Sequence, residues 1–344
     1  VAMEPLFLVI GIVVLVAVVV DLLWTTLWVD GGSGPLSSRL TTAVWRGLRR
    51  VSDDNPRVLS LAGPLILVFT LAMWIGLLWI GWTLLFAGGS VALVSAHTGD
   101  PADWTGRFYY VAYTMFTNGN GDYTPTSGTW EIASAFTTAT GMAFVTLAVS
   151  YVLAVLGAVS EKRSFASDVT GLGTRSEAFV RTSWDDRRDA DDASAAFDGL
   201  GLSLESLSAD LSLLADQHKS YPILHYYHSE QGKRASAVAV PILDEALTIY
   251  RYGVPDDGKP NPMLIEDARS SAQSYLETLD TAFIEPADEV PPDPDLDRLR
   301  KAGVPTVADE EFEEALEELS ERRRKLLGVV RADAWNWPPL DEGK

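Results

Sequence analysis

Cysteine is absent from this chain of 344 residues, which excludes disulfides, thiolate nucleophiles and thiolate metal sites. Lysine is scarce, with seven residues against twenty arginines, and histidine occurs four times. No phosphate-binding loop, cyclic-nucleotide motif or nucleophile beside a base stands out, so no enzyme is expected. Gly171 and Gly173 open no dinucleotide fold, because Ser176 replaces the third glycine and no strand precedes them. Beyond residue 160 no apolar run approaches the roughly 18 residues that mark a membrane span.

Before residue 160 there are three such runs, Leu6 to Val29, Leu61 to Phe86 and Ile132 to Val159. The first lacks a basic flank and a small-residue cleavage site, so it reads as a retained helix rather than a signal peptide. The expectation is an all-α integral membrane protein: three transmembrane helices, a re-entrant helix and loop between the second and third, and a mostly helical domain after them. Residues 1–30 then form the first transmembrane helix, 31–57 a linker with an interfacial helix, 58–160 a pore domain, and 161–344 an acidic helical domain.

Arginine sets the expected orientation. Arg39, Arg46, Arg49, Arg50 and Arg57 lie between the first two runs, whereas the stretch between the second and third carries only Arg107. The positive-inside rule makes the arginine-rich linker cytoplasmic, with the amino terminus outside and the carboxyl-terminal half inside a multi-pass cell-membrane protein. The formal net charge of −20 is uneven: residues 161–344 hold 38 acids against 21 bases. An acidic domain of this kind repels nucleic acid and anionic lipid. Acid-rich, lysine-poor composition also suggests a halophilic host, where a Debye length near ~3 Å at 1 M salt screens self-repulsion.

Between the second and third runs lies Y-V-A-Y-T-M-F-T-N-G-N-G-D-Y-T-P, from Tyr110 to Pro125. Irregular backbone at membrane depth must line protein or a water-filled cavity. Gly119 and Gly121 can take positive φ and turn successive carbonyls toward an axis where a dehydrated cation sits. Asp103 is positioned to cap a helix from Trp104 to Phe116, whose carboxyl end favours cations. Tyr109, Tyr110 and Tyr113 on that helix serve the loop either by packing around it or as an interfacial aromatic belt.

Thr114, Thr117, Gly119, Gly121, Asp122 and Pro125 together resemble the potassium-channel pore signature T-x-x-T-V-G-Y-G-D with a following proline. Asn118 and Asn120 depart from it, standing where Val or Ile and Tyr or Phe are usual. The resemblance implies that Thr117, Asn118, Gly119, Asn120 and Gly121 form a selectivity filter for K+, with Na+ also passing if the asparagines widen it, and that Asp122 stabilises the outer mouth. It also implies a homotetramer in membrane lipid, since one loop per chain cannot surround an axis. The two amides either hydrogen-bond behind the filter or turn into the pore. The sequence D-L-L-W-T-T-L-W followed by G-G-S-G-P-L-S is similar to the amino-terminal region of prokaryotic single-pore channel-like proteins.

Asp21 interrupts the first run, and an intramembrane carboxylate is functional by default. Thr25, Thr26 and the linker arginines are its candidate partners, for a folding tether or for gating. Leu36, Leu40, Val44, Leu48 and Val51 give the linker one apolar helical face. The third run is rich in small residues, as a close inner bundle needs. Gly141 stands where potassium-channel inner helices carry a hinge. Val145, Val149 and Leu153 form a candidate gate, with Thr138, Met142, Thr146 and Ser150 as the rival stripe.

After residue 160, helices are expected at about 203–218, 234–251, 261–283 and 309–330, with 288–297 an exposed linker. Arg322 to Lys325 would complement the dipole near the end of the last helix. His218, His225 and His228 are the one cluster of ligand-type side chains. Their aromatic setting favours packing over a metal or proton sensor, although His225 and His228 would share a face if that segment were helical. No cofactor is expected, and the ligand or partner of this half stays open. The expected function is a potassium channel-like protein passing monovalent cations passively through a tetrameric pore. A weakly selective cation channel and a nonconducting sensor or scaffold are the alternatives.

Overall fold

A computed structural model describes residues 4–28, 32–52, 55–184, 197, 199–280 and 284–338. Helix α1 spans Pro5–Leu27 and ends before a glycine-rich turn, after which Pro35 opens the amphipathic α2, Pro35–Ser52. Asn55 caps the short α3, Pro56–Leu59, by accepting from the Arg57 amide at 3.0 Å. Helix α4, Ala62–Ala87, is apolar all round. Strand β1 (Leu93–Ser95), helix α5 (Trp104–Met115) and strand β2 (Tyr123–Pro125) follow, and then the 45-residue α6, Gly128–Leu172. At 1.5 Å per residue α6 is roughly 68 Å long, far beyond a hydrocarbon core of about 30 Å. The change of composition at Glu161 is therefore not a helix break. Helices α1 and α6, and α3–α4 taken together, are long and apolar enough to cross a membrane.

The remaining helices are α7 (Ser176–Ser183), α8 (Leu200–Ser220), α9 (Ser236–Thr248), α10 (Pro262–Asp280), α11 (Leu296–Lys301), α12 (Asp309–Glu318) and α13 (Ser320–Ala332). With one two-stranded ribbon among the described residues, the chain is an all-α membrane protein. It divides into two compact units, residues 1–46 with 64–155 and residues 47–63 with 156–344.

The second unit is built around α9, every residue of which is buried. A helix apolar all round belongs at the centre of a core, yet α9 carries Asp244 and Glu245. Both are neutralised from α13. Arg322 Nε donates to the two Asp244 oxygens at 3.1 and 3.0 Å, and Arg323 Nε donates to Glu245 at 2.9 Å. The helix expected at 309–330 is broken at Leu319, so Arg322 and Arg323 stand near the start of α13 and act as counter-ions to α9 rather than as dipole partners at a helix end. Nor is 288–297 simply an exposed linker. Pro291 is buried, Arg323 Nη2 donates to the Pro291 and Pro292 carbonyls at 3.2 and 2.8 Å, and Glu177 accepts from the Asp295 amide at 2.8 Å.

Removing one member of a buried ion pair leaves the other charge uncompensated, which costs about 3–5 kcal/mol, whereas replacing both by apolar groups is close to neutral. Arg323→Met therefore lowers the stability of this unit by about that amount, and adding Glu245→Met recovers most of it. Denaturant unfolding of the full chain in detergent, followed by tryptophan fluorescence, measures both.

Candidate functional site

Asp103 caps α5 by accepting from the Gly106 amide at 2.7 Å, which fixes where the helix starts. At its other end the chain leaves through Phe116, with the Thr117 and Asn118 amides still bonded to the Thr114 and Tyr113 carbonyls at 3.1 and 2.8 Å. The backbone then alternates in hand. Thr117, Gly119 and Gly121 have φ of 60°, 59° and 78°, while Asn118 and Asn120 between them do not take positive φ. Alternation of this kind turns successive carbonyls to one side of the chain. Glycine accommodates it freely, but for the β-branched Thr117 it costs on the order of 1–3 kcal/mol. Among the described residues no hydrogen bond ends on the carbonyls of 117–121, and all five residues are exposed.

The asparagine side chains are hydrogen-bonded within the loop and to α5. Asn118 Nδ2 donates to Asn120 Oδ1 at 3.0 Å, Asn120 Nδ2 donates to the Tyr109 hydroxyl at 2.5 Å, and that hydroxyl donates to Asp122 Oδ2 at 3.0 Å. All three donors point along one line that ends on a carboxylate, the arrangement in which each hydrogen bond strengthens the next. Of the two fates open to the amides, the structure has the hydrogen-bonded one. Tyr113 adds a second tie, donating to the Tyr123 carbonyl at 2.9 Å and accepting from the Tyr123 amide at 3.2 Å. Tyr110 is buried and bonds Ser134 of α6.

Beyond the loop, β1 and β2 pair antiparallel, and the Ala96 amide donates to the Asp122 carbonyl at 2.9 Å, so the exit strand is held as firmly as the entry helix. His97 Nε2 lies 3.6 Å from Asp122. On the α4 side, Trp79 stacks on Phe108 at 4.3 Å and donates to its carbonyl at 2.9 Å, and Phe86 meets Tyr110 edge-on. From α6, Thr138 donates to the Thr114 carbonyl at 3.2 Å. Gly141 faces the end of α5 so closely that a Cβ there would lie 1.9 Å from the Met115 carbonyl oxygen. Whatever hinge it provides, Gly141 is required for this contact. Val145, Val149 and Leu153 are exposed along α6, as are Met142, Thr146 and Ser150 of the rival stripe.

Asp21 is fully buried, and its partners are not those expected. Thr25 accepts from the Gly34 amide at 2.9 Å, Thr26 bonds the Leu22 carbonyl, and no arginine reaches it among the described residues. Asp21 instead caps α2, accepting from the Leu36 and Ser37 amides at 2.7 and 3.2 Å and from the Ser37 hydroxyl at 2.5 Å. It also accepts from Trp74 Nε1 of α4 at 2.8 Å. One carboxylate thus ties three helices together.

The histidines do not share a helical face. A 3₁₀ turn covers Pro222–Tyr226 and ends before His228. His225 meets the His218 ring edge-on at 4.9 Å, while His228 bonds Asp333 Oδ1 at 3.3 Å and stacks on Trp335. Sequence reading missed the left-handed Thr117, the β1–β2 ribbon, His97 beside Asp122, and Trp74 as the partner of Asp21.

Residues 65–158 match the family described as Ion channel. The chain is 41% identical over 336 residues to the membrane protein YdjJ of Bacillus subtilis (strain 168), itself uncharacterized, covering 98% of this chain and 96% of that one. No solved structure matches the chain.

Gly141→Ala improves intrinsic helix propensity by about 1 kcal/mol, yet the Met115 carbonyl leaves no room for the methyl group. Thermal unfolding in detergent is expected to register a net loss of about 1–3 kcal/mol. A gain would mean that α6 and the end of α5 are not in contact.

Proposed function

We propose, from the premise that the chain belongs to the same ion-channel-domain membrane family as Bacillus subtilis YdjJ, that it passes monovalent cations passively through a tetrameric, potassium channel-like pore lined by Thr117, Asn118, Gly119, Asn120 and Gly121. The observation that carries this proposal is the alternating hand of the loop backbone in five exposed residues, whose carbonyls accept no hydrogen bond from the described residues, while the asparagine side chains are bonded to each other and to Tyr109. Carbonyl oxygens so aligned replace part of the hydration shell of a cation. A free loop carbonyl in hydrocarbon costs several kcal/mol, so the loop must face water or ions. Closed symmetry provides such a face, since one loop per chain cannot enclose an axis.

In this assembly Asp122 and Tyr109 hold the filter from behind, and Tyr110 and Tyr113 anchor it to its surroundings. The exposed stripe of Val145, Val149 and Leu153 closes the path by dewetting. The arginines of α2 face the cytoplasm, which puts the amino terminus and the filter mouth outside and the acidic domain inside. Lipid covers the outer faces of α1 and α4, whose apolar side chains are widely exposed.

The second possibility, a weakly selective cation channel, draws on the same relay: polar amides replace the large side chains that usually brace such a filter. Reversal potentials in mixed potassium and sodium solutions separate the two. The expected result is a potential displaced toward potassium equilibrium, and a displacement back toward zero for Tyr109→Phe, which cuts the relay between Asn120 and Asp122. Equal permeability in the wild type supports the weakly selective channel. Absence of flux under any gradient contradicts both and leaves a nonconducting sensor or scaffold.

A further inference from the structure

Lys162 lies on α6 just past its apolar stretch and is buried within the second unit. A buried ammonium is expensive unless its protons are used. Its Nζ donates to the Leu224 and Tyr227 carbonyls at 2.9 and 3.3 Å, at the carboxyl-terminal end of the 3₁₀ turn Pro222–Tyr226, where free carbonyls favour a cation. The same turn carries His225, whose ring meets buried His218 of α8, and His218 in turn meets Tyr275 of α10 edge-on at 5.4 Å. Three of the four histidines of the chain thus lie in the segment that receives Lys162 or beside it.

We infer that Lys162 latches the extension of the pore-lining helix to the Pro222–Tyr226 turn, and that the paired rings of His218 and His225 make this latch open when the surrounding solution turns acid. Lys162 is here a positioning residue, and its role in gating rests on the proposal that α6 lines the pore; the latch itself does not.

The groups that act on the rings are Lys162 of α6 and, against His218, Tyr275 of α10; Arg163 and Asp333 act in turn on Lys162, and Asp333, just after α13, bonds His228. Two rings and an ammonium in one wall oppose any further positive charge. Burial, then the neighbouring His225 and Lys162, holds His218 well below its ordinary range, and the half-buried setting of His225 beside Lys162 brings it down to about 3. Both rings are therefore neutral in the latched state. Because their proton affinity is lower there than in water, the latch is fully stable above about pH 6.5 and loses stability as pH falls below it. Each ring that reaches water on release contributes about tenfold to the opening equilibrium between pH 8 and 5.5, and both together contribute about a hundredfold.

The cysteine-free chain permits a test that needs no ion flux. Ala166→Cys places a thiol on the buried face of α6 one turn beyond Lys162, and Ser167→Cys places one on its exposed face. The ratio of their labelling rates in the full chain cancels the titration of the thiol itself. That ratio is expected to rise ten- to a hundredfold from pH 8 to 5.5. It becomes flat in His218→Gln with His225→Gln, and is already high at pH 8 in Lys162→Met. A ratio that stays constant with both histidines present, or that Lys162→Met leaves unchanged at pH 8, overturns the latch. The pH profile of the reporter requires no change at Lys162 or the histidines, so misfolding of those variants does not shield the inference. If the ratio responds but no current flows, the latch stands and the pore proposal falls.

Discussion

Five backbone carbonyls, those of Thr117–Gly121, accept no hydrogen bond among the described residues, and they govern the first unit. A chain in hydrocarbon must satisfy every polar backbone group internally. The neighbours of Thr117–Gly121 act to hold that segment in place. Asp103 fixes the start of α5, the Asn118–Asn120–Tyr109–Asp122 relay occupies the side-chain hydrogen bonds behind the loop, and the β1–β2 ribbon clamps its exit. The left-handed Thr117 is a local strain that only a surrounding structure this constrained can maintain.

The relay also recasts the two asparagines. In sequence they are departures from a pore signature. In the folded loop Asn120 reaches Tyr109 of α5 through a hydrogen bond, where a large aromatic would reach it by contact. Hydrogen bonds are directional, so the loop is held against displacement along the donor line and less against expansion across it. If the loop is the filter proposed above, its ion preference depends on Tyr109 and Asp122 as much as on the residues of the loop itself.

What was legible in the sequence is what depends on local pattern. Hydropathy found the three long helices, glycine found two of the three left-handed positions of the 117–121 loop, and Asp103 was a readable cap because its partner is three residues away. What was not legible depends on contacts across the chain. Asp21 binds Trp74, 53 positions later, and the amides of a helix start no propensity links to it. Arg322 and Arg323 looked like dipole partners until Asp244 and Glu245, 78 positions earlier, proved to lie in the core beside them. His225 and His228 would share a face only in a continuous helix, whereas the 3₁₀ turn ends between them and sends each ring to a different neighbour. A tyrosine hydroxyl that joins an asparagine to an aspartate has no signature in periodicity at all.

Ion density in the assembled protein tests the central claim most directly. In a structure of the oligomer soaked in thallium, a potassium mimic, anomalous scattering is predicted in single file on the symmetry axis, ligated by the carbonyls of residues 117–121, with the Asn118 and Asn120 amides behind the backbone. An axis lined by those amides, or one without ions beside this loop, would contradict the account.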